Sequence, residues 1–538
     1  MRQRKHSIIE WIRQVIMMWN DSIEQVKINR ASHSMGGGEK KIQLQNDHGK
    51  MTVWQRISVL LDEDSFTEIN SCVEADPGLT LVGDATTIPG DGVVTGWGTI
   101  SGRKVCVAAE DFTVLGGTLG AAHAHKIARL QDLALEMQAP VIFLYDCEGA
   151  RIQEGLNALE GYGEMIVRHT KASGVIPQIS AILGPCCAEA ACSPALCDFV
   201  FVVRGISHMY LTGPDGVESV TGKRPDEDAL GGADMHSTLS GTAHALYNDE
   251  VSCLKGIRRL LQYLPSNCRS RSPLRHDNAG SGVGTHDLRV TFESIVPDNM
   301  RKPYDMHQVI ENIMDIDEPL FEIQKHYARN AIVGFSYLNN HPVGVVANQP
   351  IENGGAIDIN ASDKMARFIR FCDSFHIPLL SLVDVPAFQP GVDQEQQGII
   401  RHGARMLYAF SSASVPKITV VLRKAYGGAY LAMNSLSLGA DFVYAWPIAQ
   451  IAVTGAESAV NLLYKDDLRR SGRPDQTRAK LKQTYEEQFL NPETARKRGF
   501  VSEVILPEET RGTLIRAFDF LEDKKQNAKE FRHGNIPL

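Results

Sequence analysis

Within the 538 residues, the stretch best equipped for chemistry is Lys424-Ala-Tyr-Gly-Gly-Ala-Tyr430. An apolar run of β type, Lys417-Ile-Thr-Val-Val-Leu-Arg423, leads into it, and a helical pattern from Leu431 to Leu438 follows. Paired glycines between a strand and a helix let backbone N–H groups approach a ligand closely, because glycine has no Cβ. The helix N-terminus adds partial positive charge at the same place. Two such N–H groups form an oxyanion hole, which stabilises an enolate or a tetrahedral oxyanion. A glycine pair taken alone predicts only a tight turn. Here the layout occurs twice, because Gly427-Gly428-Ala429 has a counterpart in Ala188-Glu189-Ala190.

The elements that position these loops are duplicated as well. Lys126-Ile-Ala-Arg-Leu is answered by Lys364-Met-Ala-Arg-Phe, and Pro140-Val-Ile-Phe-Leu-Tyr-Asp146 by Pro378-Leu-Leu-Ser-Leu-Val-Asp384, both at an offset of 238 positions. Val175-Ile-Pro-Gln-Ile and Ser414-Val-Pro-Lys-Ile correspond at an offset of 239. One slipped residue over that length indicates a duplicated domain. Strands are expected at Gly92–Gly98 and Lys104–Ala109, then Gly116-Gly117 and a helix carrying Ala121, Ala124, Ile127, Ala128 and Leu130. Pro140–Asp146 reads as a buried parallel strand. Strands alternating with helices define an α/β class. The polar stretch from Arg269 to Gly284 is the best boundary, giving domains over 1–275 and 285–538.

Bulk properties narrow the function. The length calls for more than one core. A net charge of −9 and the lack of a Lys/Arg block argue against a nucleic-acid partner. No run of 18 uncharged apolar residues occurs, so no membrane span is predicted. The ten cysteines include no CxxC pair, and Cys186, Cys187, Cys192 and Cys197 fall in an apolar run, which predicts buried, reduced thiols and a cytoplasmic location. At the N-terminus Ile8, Ile9, Ile12, Val15, Ile16, Trp19, Ile23 and Val26 recur at helical spacing, predicting an amphipathic docking helix. Gly36-Gly-Gly38 and Gly49-Lys50 match no phosphate loop and predict a flexible connection, after which Thr52 caps a helix running to about Leu61.

With these pieces in order, the sequence resembles the carboxyltransferase (β) subunit of biotin-dependent acyl-CoA carboxylases, of the propionyl-CoA carboxylase type. The resemblance rests on Gly149-Ala-Arg-Ile-Gln-Glu-Gly155, Tyr210-Leu-Thr-Gly-Pro-Asp215, Asn348-Gln-Pro350, Gly398-Ile-Ile-Arg-His-Gly-Ala404, Tyr444-Ala-Trp-Pro447 and Asn535-Ile-Pro-Leu538. It implies two tandem crotonase-like (ClpP/crotonase) domains and a hexamer, homomeric or heteromeric. It also implies a separate biotin carboxylase and a biotin carboxyl carrier subunit, since no Ala-Met-Lys-Met attachment site is present. In the implied scheme the N–H groups of Gly428 and Ala429 serve biotin, with Tyr426, Gly427, Ala387 and Phe388 around it. Those of Glu189 and Ala190 serve the enolate of the acyl-CoA, framed by Glu148, Gly149, Ala150, Arg151 and Ala188, and Leu431 helps set acyl size. No metal is implied.

Glu148 and Glu189 depart from the family's usual glycines. Their N–H groups survive, but a carboxylate about 5 Å from an enolate costs roughly 3 kcal/mol at an effective dielectric near 20, or roughly a hundredfold in rate. Three outcomes follow: the side chains cap the next helix, they bind a cationic or hydroxylated acyl group, or the acyl site is degenerate. The alternatives to an acyl-CoA carboxylase component are accordingly a structural or regulatory subunit beside an active paralogue, or a decarboxylase or transcarboxylase component. His123 and His125, two apart on a helix, face different directions and predict structural roles. Asp146 and Asp384 predict turns or caps rather than catalysis. Arg151 is either a CoA-phosphate ligand, on the resemblance, or a structural ion pair.

Overall fold

The computed structural model describes residues 2–74, 90–275, 291–316, 318–524 and 535–537, with side chains from residue 17 onward. Gly280–Gly284 and Leu538, and the side chains of Ile8 to Ile16, fall outside the described residues. The chain divides into two compact units, Met1–His236 with Thr242–Arg259, and Ser237–Gly241 with Leu260–Leu538. The polar stretch from Arg269 follows this division.

The first unit contains the strands β1 (Thr67–Ile69), β2 (Val93–Ile100), β3 (Arg103–Glu110), β4 (Val141–Cys147), β5 (Gln178–Cys187), β6 (Phe199–Val203), β7 (His208–Tyr210) and β8 (Ala245–Tyr247). The second contains β9 (Phe321–Ile323), β10 (Ala331–Leu338), β11 (His341–Asn348), β12 (Leu379–Val385), β13 (Lys417–Tyr426), β14 (Phe442–Ala445), β15 (Gln450–Ala452) and β16 (Glu503–Val504). The sheet orders match: β1-β2-β3-β4-β5-β6-β8 with β7 on β5, and β9-β10-β11-β12-β13-β14-β16 with β15 on β13. In each sheet an antiparallel pair (β2 with β3, β10 with β11) opens a run of parallel strands. The parallel strands read as continuous apolar runs because both faces are covered; β4 and β12 are buried at every residue.

Equivalence extends to single pairings. Val141 pairs with Gln178, and Leu379 with Lys417. The one-residue slip therefore lies between the central strands, where the second half inserts the short helix Val392–Gln397. Both central ladders also break at the same place, a bulge between Tyr145 and Cys147 and another between Val383 and Val385. The extra residues lie on β5 (183–185) and β13 (422–424), and the single residues facing them are Asp146 and Asp384. Each is wholly buried and ion-paired within its unit, so neither is a turn or a cap.

Helices α1 (Arg2–Ser34), α2 (Glu39–Asp47), α3 (Val53–Leu60), α4 (Ala121–Met137) and α5 (Leu156–Ala172) belong to the first half. From Met17 onward α1 is exposed along its length, Trp19, Ile23 and Val26 included, except for His33, which meets Glu68 at 2.5 Å. Gly36–Gly38 is a tight turn rather than a loose connection. The Gly37 N–H bonds Thr113 Oγ1 at 3.0 Å, and a Cβ on Gly37 would fall 1.9 Å from the Thr113 carbonyl. Thr52 caps α3 in a full capping box with Gln55. The helix predicted over Leu431–Leu438 begins earlier, at Gly427, and ends at Ala432, with a separate 3-10 turn over Leu436–Leu438.

A buried lysine fastens each sheet to the helix beside it. In α4, Lys126 Nζ donates to the carbonyls of Gly90 (2.9 Å) and Val93. In the helix Ile359–Ser374, Lys364 Nζ donates to Gln324, Tyr327, Ala328 and Ala331 at 2.7–3.4 Å. Burial lowers both ammonium groups to about 8.

Candidate active site

β13 ends at Tyr426, and the chain turns directly into the helix Gly427–Ala432. Gly427 has φ +60°, a conformation that glycine adopts without penalty. The first N–H groups of any helix have no intrahelical acceptor, and no side chain caps this one. Gly428 and Ala429 lie in this uncapped first turn. The Phe388 ring braces them: a Cβ on Gly428 would lie 3.7 Å from it and a Cβ on Gly403 3.1 Å. The strip carrying Phe388 is itself fixed, because the Ile357 N–H donates to the Ala387 carbonyl (3.1 Å) and the Gln389 N–H to the Ile357 carbonyl (2.8 Å). The Tyr426 hydroxyl bonds Gln450, and burial pushes its phenol up. Leu431 is 43% exposed beside the loop.

The first half builds the same frame. β5 ends at Cys187, followed by a 3-10 turn over Ala188–Ala191 and the helix Cys192–Leu196. The Leu119 N–H donates to the Gly149 carbonyl (3.0 Å) and the Arg151 N–H to the Leu119 carbonyl (2.9 Å), matching Ala387, Ile357 and Gln389. Gly149 lies against Cys187, where a Cβ would come 3.2 Å from the Cys187 carbonyl. The two loop segments, Glu148–Arg151 and Ala188–Ala190, are therefore brought together. No side chain caps the turn that begins at Ala188. Ala190 is buried, Glu189 is exposed, and the Glu148 carboxylate lies over Gly116. Neither glutamate caps a helix.

Differences sit on this common frame. Ala188 holds φ +55° where Gly427 holds +60°, a left-handed conformation that costs a non-glycine residue about 1 kcal/mol. Across the last strand pair the bulky residue changes sides: Cys187 faces Tyr210, whereas Tyr426 faces Ala452. The Tyr210 hydroxyl donates to Glu227 (2.9 Å) and packs on the Cys187 thiol, which burial pushes up. Arg151 is 1% exposed and bound by Asp91 (2.6 Å), Glu154 (2.7 Å) and the Thr118 carbonyl (2.8 Å), a structural ion pair beneath the loop. His123 is wholly buried and His125 exposed. Cys186 and Cys197 are buried, whereas Cys187 and Cys192 are half-buried.

The sequence reading passed over the charged network under the first loop. Lys50 Nζ reaches Asp146 at 2.6 Å, and the Arg56 guanidinium spans Asp146 (2.8 Å), Glu250 (2.6 Å) and the Leu183 carbonyl (2.9 Å). In the second half Asp384 is held instead by Arg423 at 2.9 Å and Lys424 at 3.6 Å. A cavity of about 510 Å³ lies elsewhere, at the entry ends of β11–β13 beside His341, Pro378 and Pro416. Among the described residues no group of three or more His, Cys, Asp or Glu is set to hold a metal ion, and no helix is long and apolar enough to cross a membrane.

Comparison with known proteins agrees with this geometry. The carboxyl transferase domain model matches residues 44–536. The chain is 50% identical over 522 residues, 97% of its own length and all of the relative, to the propionyl-CoA carboxylase carboxyltransferase subunit of Haloferax mediterranei. It is 47% identical to the methylmalonyl-CoA decarboxylase subunit alpha of Veillonella parvula, covering 96% of this chain and 99% of that one. The crystal structure of the transcarboxylase 12S hexamer with methylmalonyl-CoA bound superposes with a TM-score of 0.92 at 44% identity, covering 96% and 98% of the two chains. The chain therefore belongs to the carboxyl transferase family, as a carboxyltransferase subunit of the biotin-dependent acyl-CoA carboxylase class.

Proposed function

We propose that this cytoplasmic subunit carboxylates the α-carbon of a short acyl-CoA, the thioester lying over the first-half loop and biotin, borne on a separate carrier subunit, against the second-half loop. The observation that carries this reading is the pair of equivalent strand-to-helix turns, Ala188-Glu189-Ala190 and Gly427-Gly428-Ala429, whose leading N–H groups no side chain caps. The second loop suits the edge of a neutral cyclic urea: two convergent donors, a glycine that leaves the approach open, and the flat Phe388 ring behind. Bound there, biotin supplies the transferable carboxyl group and the base for the α-proton.

This chain's residues then have defined tasks. Glu189 and Ala190 N–H groups hold the thioester oxygen as charge develops on it, and they are worth more in a dry site than in water. Gly149 and Ala150 form the wall opposite, and buried Arg151 keeps that wall in place rather than meeting substrate. Glu189 is exposed, the Glu148 carboxylate lies over Gly116, and Leu431 limits acyl size. Partner subunits supply biotin carboxylation and the carrier, and the subunits assemble as a hexamer. Decarboxylation or transcarboxylation would use the same residues, and relatives of all three kinds are 44–50% identical.

The test is the reverse half-reaction: the purified chain with free biotin and methylmalonyl-CoA or malonyl-CoA. Biotin-dependent CO2 release is the expected result. No release from either thioester, by the wild type or by the Glu148→Gly, Glu189→Gly variant, would overturn the reading.

A further inference from the structure

At both bulges the N–H of the buried aspartate is received by a side chain from the neighbouring strand. In the second half the acceptor is an amide: Asn348 Oδ1 takes the Asp384 N–H at 3.3 Å. In the first half it is a carboxyl group: Glu110 Oε2 takes the Asp146 N–H at 2.8 Å. Glu110 and Asn348 are equivalent, each the last residue of its strand. The substitution puts an acid where the second half uses a neutral group.

The surroundings leave no charge to balance a second anion beside Asp146. Glu110 is 3% exposed. Within the network, the cations Lys50 and Arg56 already face the anions Asp146 and Glu250. The other groups facing Glu110 are the thiols Cys147 and Cys186 and the phenols Tyr145 and Tyr162, all neutral, and Asp111, the next residue, bonds Thr113. From α4 comes His123, whose Nε2 stands 3.8 Å from Glu110 Oε1 and whose two ring nitrogens have no hydrogen-bond partner. Ala361 occupies the place of His123 in the second half, so acid and imidazole appear together in the first half only. Burial drives both toward neutrality, raising Glu110 to about 8 and lowering His123.

We propose that Glu110 is a positioning residue that serves the acyl loop in its protonated form, receiving the Asp146 N–H at the bulge as Asn348 receives that of Asp384. The bulge fixes where Cys147-Glu148-Gly149 leaves the sheet. The Asp146 carbonyl presses on Gly117, where a Cβ would fall 2.2 Å away, and the Glu148 N–H bonds the Gly116 carbonyl at 3.1 Å. Ionising Glu110 places an unbalanced charge under this point and loosens the loop. The catalytic part of the inference rests on the acyl thioester lying over that loop.

Two measurements separate the parts. The first is thermal stability of the purified oligomer from pH 5 to pH 8.5, wild type against Glu110→Gln, with His123→Ala as companion. Between the ordinary glutamate range and about 8 the folded chain keeps a proton that the unfolded chain has lost. Stability from this group therefore falls as pH rises, by up to about tenfold in the unfolding constant per pH unit. Glu110→Gln removes that slope, so its advantage over the wild type grows from pH 5 to pH 8, and His123→Ala keeps the slope. Parallel curves for wild type and Glu110→Gln would overturn the proposal, as would a Glu110→Gln or Glu110→Asn protein that fails to fold. The second is the pH profile of turnover, which Glu110→Gln extends to higher pH. An unchanged profile with the altered stability slope would retain the proton assignment and reject the acyl loop as its beneficiary.

Discussion

The two halves hold the same aspartate, opposite the same bulge, by different means. In the second half the arginine comes from the strand itself: Arg423 is a β13 residue that reaches Asp384 and the carbonyls of Pro297, Asn299 and Lys302. In the first half the equivalent strand position is Gly184, where a Cβ would fall 1.9 Å from the Asp146 carboxylate. The arginine arrives from α3 as Arg56 and bridges to Glu250. A duplicated frame thus conserves the position that needs a cation while leaving its source free. One consequence is that the first loop depends on the packing of α3, whereas the second depends on its own strand.

That contrast can be broken most directly at the arginines. Arg56→Met takes the guanidinium from Glu250 and from Asp146, which keeps Lys50, and is expected to cost about 3–5 kcal/mol. Arg423→Met leaves Asp384 with Lys424 and costs less. Denaturant midpoints of the two variants, compared with the wild type, give the order. Next in size is the loss of a donor. Glu189→Pro removes one N–H in the first helical turn, where proline is structurally tolerated, and lowers biotin-dependent decarboxylation by about 10²–10³-fold. Glu189→Gly keeps the N–H and changes the rate by less than about tenfold. Gly428→Glu, which gives the second loop the side chain of the first, is expected to change the same rate by less than about tenfold as well. Gly428 is not in the left-handed region and its Cβ has room, so a larger loss would report charge rather than strain. The smallest effects belong to the turn residues. Ala188→Gly stabilises and Gly427→Ala destabilises, each by about 1 kcal/mol at most, read as opposite shifts in Tm.

What the sequence made legible follows the same line. The strands and the loop pair were visible because each element had a copy to be compared with, whereas the crotonase-like frame came from the resemblance to the family. Asp146 and Asp384 were matched on that ground, yet their burial was hidden, because a bulge leaves no mark in an apolar run. Arg56 and Glu250 went unnoticed for the complementary reason, and Lys50 was read only as part of a flexible connection. Arg56 meets Asp146 and Glu250 across most of the first unit, and nothing in the second half repeats it. Gly36–Gly38 looked like a loose connection because the contact that tightens it, Thr113, lies far along the chain. Glu148 and Glu189 were read as possible caps from proximity to a helix start. The structure leaves them outside because the turns close on backbone alone.

Lys364 is surrounded by four carbonyl oxygens in the manner of a bound monovalent cation, and Lys126 repeats the arrangement with two. Each half therefore contains its own tethered ion, and these turns need none from the medium. Arginine could not replace it, because a planar fork cannot point at oxygens ringed about one point. Both amines are sealed from reagents once the chain has folded. An acyl mark found on either would identify a molecule modified before its fold closed.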